Sequence, residues 1–194
     1  SLGSYCAGKH TGRTGYAGTL SFNGNKIITT GGGGAVITDS EDLAQKIKHL
    51  TTTAKKRHPY LFIHDEIGFN YRLPNLNAAL GLAQIECLDQ FVSKKRSLAD
   101  IYRDWVADWE MVSFFNEPEG ASSNYWLNAL LVSEQSVRDE ILTRTNQSGV
   151  MTRPIWTPMN TLPIYEHCQQ YRLINAPKIE GRLINVPSSV VREN

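Results

Sequence analysis

A chain of 194 residues with 41% hydrophobic content is long enough to bury a core in one or two compact units, and it is expected to be globular and soluble. Its 20 lysines and arginines against 19 aspartates and glutamates leave a formal charge of +1 with no long basic run, which argues against a nucleic-acid partner. No apolar stretch approaches a membrane span, and Cys6, Cys87 and Cys168 lie too far apart for a disulfide framework or a zinc site, so a reducing cytoplasm fits and no metal is expected.

In chain order, Gly3-Ser-Tyr-Cys-Ala-Gly8-Lys9 meets the GxxxxGK pattern of a phosphate loop, but His10 stands where a Ser or Thr hydroxyl is needed to hold magnesium. A glycine-rich surface loop is expected instead. The first residues also read as strands with no preceding partner, as in a chain cut inside a domain. Thr19 to Phe22 and Gly34 to Thr38 read as two paired strands, rich in β-branched and aromatic residues, with Asn23-Gly24 in the turn-rich segment between them. The run Gly31 to Gly34 implies a backbone that is closely approached or held at positive φ, and its spacing is not the GxGxxG of a dinucleotide fold. Asp39 or Ser40 caps a helix running to about Leu50.

A loop carrying Lys55, Lys56, Arg57 and His58 follows, and these, with His64, read as solvated or structural. Apolar residues recurring every three or four positions predict one long helix, or two with a bend, from Asn75 to Trp105. Beyond Trp109 come a strand at Val112 to Phe115, a turn at Pro118 to Ser123 and a strand at Tyr125 to Val132. A helix from Glu134 to Gln147, ended by Gly149, is followed by a strand at Val150 to Arg153. Short helices at 164–170 and 174–181 and an apolar run at Leu183 to Val186 complete a small αβ unit. The sequence divides most naturally into domains 1–107 and 108–194.

Lys26 sits in the turn after the first of those paired strands, where a lysine is most often a solvated charge. Its surroundings change that reading. The stretch Ser21 to Asp39, SFNGNKIITTGGGGAVITD, resembles the Schiff-base segment of the DegT/DnrJ/EryC1/StrS aminotransferases, in which a strand ending in Ser-Phe leads to the cofactor lysine and then to a Gly-rich strand. His64-Asp-Glu-Ile-Gly68-Phe-Asn70-Tyr-Arg72-Leu resembles the family's Gly-Tyr-Asn-Tyr-Arg segment, Asn75 to Gln84 its next helix, and Gly149 to Tyr165 its substrate-facing segment. The resemblance spans essentially the whole chain. FNGNKIITTGGGG and RPIWTPMN look most like the branch that aminates UDP-4-keto-6-deoxy-N-acetylhexosamines.

The resemblance implies an α/β fold, the C-terminal part of a pyridoxal-phosphate-dependent transferase of the aspartate aminotransferase type: the end of a large αβα domain and a smaller α/β domain. It implies that Lys26 carries pyridoxal 5′-phosphate as a Schiff base and then shuttles the proton, and that the substrates are a nucleotide sugar and an amino-acid donor such as glutamate. Lysine here also favours transamination, since the sugar dehydratase relatives carry histidine at this point.

Ser21, five residues before the lysine, is implied to bind the cofactor phosphate; a strand-end serine satisfying backbone is the other reading. Asn70 is implied to reach a neighbouring subunit's phosphate in a homodimer, against an ordinary turn asparagine. Arg72 is read as facing phosphate or forming a salt bridge, and Arg153 and Trp156 as sugar-nucleotide contacts or as packing residues. Asn160 departs from the histidine of many relatives, which weakens transfer of substrate contacts there. Family members carry the aspartate that pairs with the cofactor ring nitrogen just ahead of the segment that opens this chain. The chain alone is therefore expected to retain little cofactor and to be inactive, and a remnant that folds and self-associates without cofactor is the alternative.

Overall fold

The computed structural model describes residues 1–190. The chain divides into two compact units, one of residues Ser1–Val92 with Glu119–Asn124, the other of Ser93–Pro118 with the residues from Tyr125 onward.

In the first unit, β1 (Tyr5–Cys6) and β2 (Lys9–His10) form a hairpin whose two loop residues, Ala7 and Gly8, both hold positive φ. Positive φ at both central positions is what a type I′ hairpin turn requires, and Gly8 supplies one of them without strain. The GxxxxGK stretch is therefore a tight hairpin, in keeping with the surface loop that His10 implies. Strand β6 (Ala121–Ser122), which lies inside the turn expected at 118–123, pairs with β1. Strands β3 (Gly18–Ser21) and β4 (Gly34–Ile37) pair antiparallel, Thr19 opposite Val36 and Ser21 opposite Gly34.

Helix α1 (Glu41–Thr51) starts at Ser40, whose hydroxyl accepts from Leu43 N–H; Glu41 and Asp42 stand in the first turn, where negative charge suits the helix dipole. The long apolar periodicity from Asn75 resolves into α2 (Asn75–Glu86) and α3 (Leu88–Trp105), with Cys87 leaving helical geometry between them. Helix α2, NLNAALGLAQIE, is apolar on every side, yet none of its residues is buried.

The second unit holds a four-stranded antiparallel sheet in the order β5 (Val112–Phe114), β7 (Asn128–Val132), β9 (Leu183–Val186), β8 (Arg153–Pro154). Helix α4 (Gln135–Gln147) lies against β7, β8 and β9, and a short α5 (Asn175–Glu180) precedes β9. Alternation along β7 turns Asn128, Leu130 and Val132 to the buried face. There Leu130 and Val132 join Ala99, Val106, Val112, Phe114, Tyr125, Ile184 and Val186 in one core, completed by Val137, Ile141 and Leu142 of α4. Each large apolar side chain enclosed in this way contributes about 1.5 to 3 kcal/mol. Arg96 grips Glu117 with both guanidinium nitrogens at 2.8 and 3.0 Å, and this pairing raises the arginine's pKa further. The helices expected at 164–170 and 174–181 are shorter: 3-10 turns at Met159–Thr161 and Pro163–Tyr165, then α5.

A lysine loop fastened at its neck

Lys26 lies on the excursion that joins β3 to β4. Asn23, Gly24, Asn25 and Lys26 make a turn closed by Lys26 N–H donating to the Asn23 carbonyl at 3.0 Å. Beyond it Ile27 and Ile28 turn inward and are buried, while Lys26 itself is half-buried. The neck is tied by Phe22: its N–H donates to Gly33 O, and its carbonyl accepts from Thr30 N–H and from the Thr29 hydroxyl, all at 3.0 Å. Gly31 and Gly33 hold positive φ, and a Cβ at Gly34 would stand 2.5 Å from Leu20 O. The glycine run thus meets both conditions its sequence implies: a left-handed backbone and a close strand approach.

Ser21 ends β3 on this same loop, and its hydroxyl accepts from Asn23 N–H at 3.4 Å. That is the local backbone satisfaction weighed for it, and it leaves the hydroxyl's own proton for an acceptor. The pKa of the Ser1 ammonium is lowered, by desolvation first and by the Lys26 charge second.

Asn70 and Arg72 stand together on another segment. Residues 68–71 run against the end of α1: Phe69 N–H donates to Leu50 O at 2.7 Å, Thr53 N–H to Phe69 O at 3.0 Å, and Tyr71 N–H to Thr51 O at 2.9 Å. Gly68 permits the approach, since a Cβ there would lie 2.4 Å from the Thr53 carbonyl carbon. Arg72 Nε donates to Asn70 Oδ1 at 3.4 Å, so the arginine's nearest polar contact is that asparagine and not the salt bridge considered for it.

His64 has a structural part here, donating from Nδ1 to Thr53 O at 2.7 Å, and Lys55 lies over the Phe62 ring at 4.9 Å. Beside them His49 bonds to Asp65 at 2.7 Å, a bond that holds the Asp65 carboxyl below its ordinary pKa, and Lys46 pairs with Glu66.

A cavity of about 1060 Å³ opens along β4, α1 and residues 71–77, lined among others by Val36, Ala44, Ile47, Tyr71, Arg72 and Asn77. Lys26, Ser21 and Asn70 are not in its lining. It is an apolar trough apart from the lysine and is not the lysine's own pocket.

In the second unit Arg153 occupies the edge strand β8, its Nη2 3.5 Å from Met151 Sδ. Trp156 follows on a loop, 65% exposed and stacked on Trp126 at 6.1 Å between ring centroids. Lys95 Nζ donates to the Trp126 carbonyl, which fixes the backbone beneath that stack.

An amine on a tied loop and a serine hydroxyl five residues before it fit the aldehyde and the phosphate of pyridoxal phosphate. Residues 21–34 contain no carboxylate, so a partner for the ring nitrogen has to come from outside this loop. Sequence reasoning misses Asn77, whose side chain reaches the loop from α2: its Nδ2 donates to Thr30 O at 2.5 Å.

Comparison with known proteins finds matches along nearly the whole chain. The DegT/DnrJ/EryC1/StrS aminotransferase family pattern matches residues 1–192. A GDP-perosamine synthase of Escherichia coli O157:H7 is 37% identical over 187 residues, covering 96% of this chain and 50% of that protein. A UDP-4-amino-4,6-dideoxy-N-acetyl-beta-L-altrosamine transaminase of Campylobacter jejuni is 38% identical over 196 residues, again 96% of this chain and 50% of the relative.

Among solved structures, an aminotransferase of pseudoaminic acid biosynthesis from Helicobacter pylori superposes with a TM-score of 0.91 at 24% identity, over 98% of this chain and 52% of that one. This likeness places the fold as part of the α/β aminotransferase architecture. The chain spans about half the length of the curated relatives it matches. With its lysine loop, its Gly68 to Arg72 segment and a match over nearly every residue, the chain belongs to the DegT/DnrJ/EryC1/StrS aminotransferase family.

Proposed function

We propose that this chain is the lysine-bearing C-terminal part of a pyridoxal-phosphate-dependent aminotransferase that moves an amino group from glutamate to a nucleotide-linked 4-keto-6-deoxy sugar, in the cytoplasm, for surface-glycan synthesis. The observation that carries the reading is Lys26 on a fastened loop, in a chain whose relatives include a perosamine synthase and an altrosamine transaminase. Residues 1–107 belong, on this reading, to the cofactor-binding domain and 108–194 to the small domain.

When bound, the cofactor supplies an electron sink for the charge that develops at the substrate carbon. Lys26 holds it through the side-chain amine and, once freed, moves a proton at that carbon. Ser21 donates its hydroxyl proton to the phosphate. Asn70 supplies a carboxamide to the phosphate of a second subunit, so the working form is a homodimer, and Arg72 stands beside it with the charge for phosphate or diphosphate. Arg153 and Trp156 meet the nucleotide sugar by charge and by stacking.

In a protein of the relatives' length bearing this sequence, we expect the visible absorbance of lysine-bound cofactor, fixed by borohydride onto the Lys26 peptide and lost in Lys26→Ala. An unchanged spectrum in that variant would sink the assignment. The 194-residue chain alone is expected to lose the cofactor on dialysis and to show little turnover; tight retention contradicts this second expectation. The rival reading, a remnant that self-associates without cofactor, draws support from α2, an apolar helix with no buried residue.

A further inference from the structure

The return limb of the lysine loop does not hold its place through the hairpin alone. It rests at three points on residues 73–81. A Cβ at Gly33 would stand 2.8 Å from Leu73 Cδ1; Thr30 O accepts from Asn77 Nδ2 at 2.5 Å; and a Cβ at Gly81 would lie 2.7 Å from Thr30 Cγ2. Thr30 is the hub of these contacts. It is 2% exposed, its N–H is spent on Phe22 O, and its hydroxyl turns to Gly32 O. Its carbonyl is thus a buried acceptor satisfied from α2, and a buried carbonyl stripped of its partner is destabilising.

Three residues lie between Lys26 and Thr30, and two of them, Ile27 and Ile28, are buried. Displacement of Thr30 therefore travels to Lys26 through a short and packed stretch.

We propose that Asn77 is a positioning residue for Lys26, its α2 carboxamide fixing the lysine loop through the Thr30 carbonyl, with Gly81 leaving room for that seat. The inference rests on the reading of Lys26 as the cofactor lysine. Asn77 touches no reacting atom; it acts through Thr30 and the buried pair of isoleucines. Its replacement by aspartate keeps the shape but sets an acceptor against an acceptor, whereas glutamine keeps the donor on a longer arm.

The test uses a protein of the relatives' length bearing this sequence, with two readouts. Hydrogen exchange is measured without cofactor, and borohydride trapping of added pyridoxal phosphate is mapped lysine by lysine, with Lys9 and Lys178 as internal references. In Asn77→Asp and Asn77→Ala the loop amides at 27–33 are expected to exchange roughly tenfold faster, the ratio that one hydrogen bond carries. Trapping at Lys26 should fall to the level of Lys9 and Lys178. Asn77→Gln should recover most of the Lys26 preference, and Gly81→Ala, which crowds Thr30, should lower it. Amides of β7 and β9 serve as the folding control and should not change. Loop exchange and Lys26 trapping equal to wild type in both the aspartate and alanine variants overturn the role of Asn77. Equal trapping across all lysines in the wild-type protein of the relatives' length overturns instead the reading of Lys26 on which the proposal rests.

Discussion

Lys95 is a lysine inside the second unit, 6% exposed, its ammonium donating to Trp126 O at 3.2 Å and Ser188 O at 2.6 Å. Removal from water disfavours its charged form, so its pKa falls below the ordinary 10.5. Between the lowered folded value and 10.5 the unfolded chain binds the extra proton, and stability must rise with pH across that window. Denaturant midpoints for wild type and Lys95→Met should therefore diverge in favour of wild type as pH climbs toward 10.5, then run parallel. A difference that stays flat from neutral pH upward would show that the ammonium is no more desolvated in the folded chain than in the unfolded one. Lys26 offers the contrast at the same scale. Its residue type says little, and its setting on the Phe22 neck says much.

At the scale of elements, local signals were the legible ones. Ser40 announced the start of α1 and Gly149 the end of α4, because a cap is written within a few residues of the turn it closes. Of the two readings, one long helix or two with a bend, the second holds, but the place of the break, Cys87, is not legible: neither glycine nor proline marks it, and the apolar period runs straight through from Leu82 to Phe91. Ala7-Gly8 was obscured by a pattern borrowed from phosphate loops, and the part played by Asn77 could not be seen at all, since its partner lies 47 residues earlier.

Helix α2 poses the sharper physical problem. Leu76 is 87% and Leu82 61% exposed, although a helix apolar all round is normally enclosed. The isolated chain should therefore self-associate at micromolar concentrations. Sedimentation should show Leu76→Glu or Leu82→Lys lowering the associated fraction with helical content unchanged, since neither side chain supports a core within the chain. A wild-type chain that sediments as a monomer would count against this.

At the scale of the whole chain, the two units differ in what holds each together. The second has a continuous core in which residues of its sheet and α3 pack with one side of α4, and it also carries the Arg96 to Glu117 pair. The first buries only Ile27, Ile28 and Ala54 among its apolar residues and relies on backbone bonds such as those joining residues 68–71 to α1. Limited proteolysis should thus cut first within 55–67, where Tyr60 and Phe62 are exposed, and leave a resistant fragment containing β5 to β9. First cleavage within β7 or α4 would contradict that order.

The close seat of Gly68 carries a practical consequence. A Cβ there would lie 2.4 Å from the Thr53 carbonyl carbon, so no side chain can be introduced at this position without lifting residues 68–71 off the end of α1. A label meant to follow this segment therefore belongs on a neighbouring exposed residue such as Tyr71.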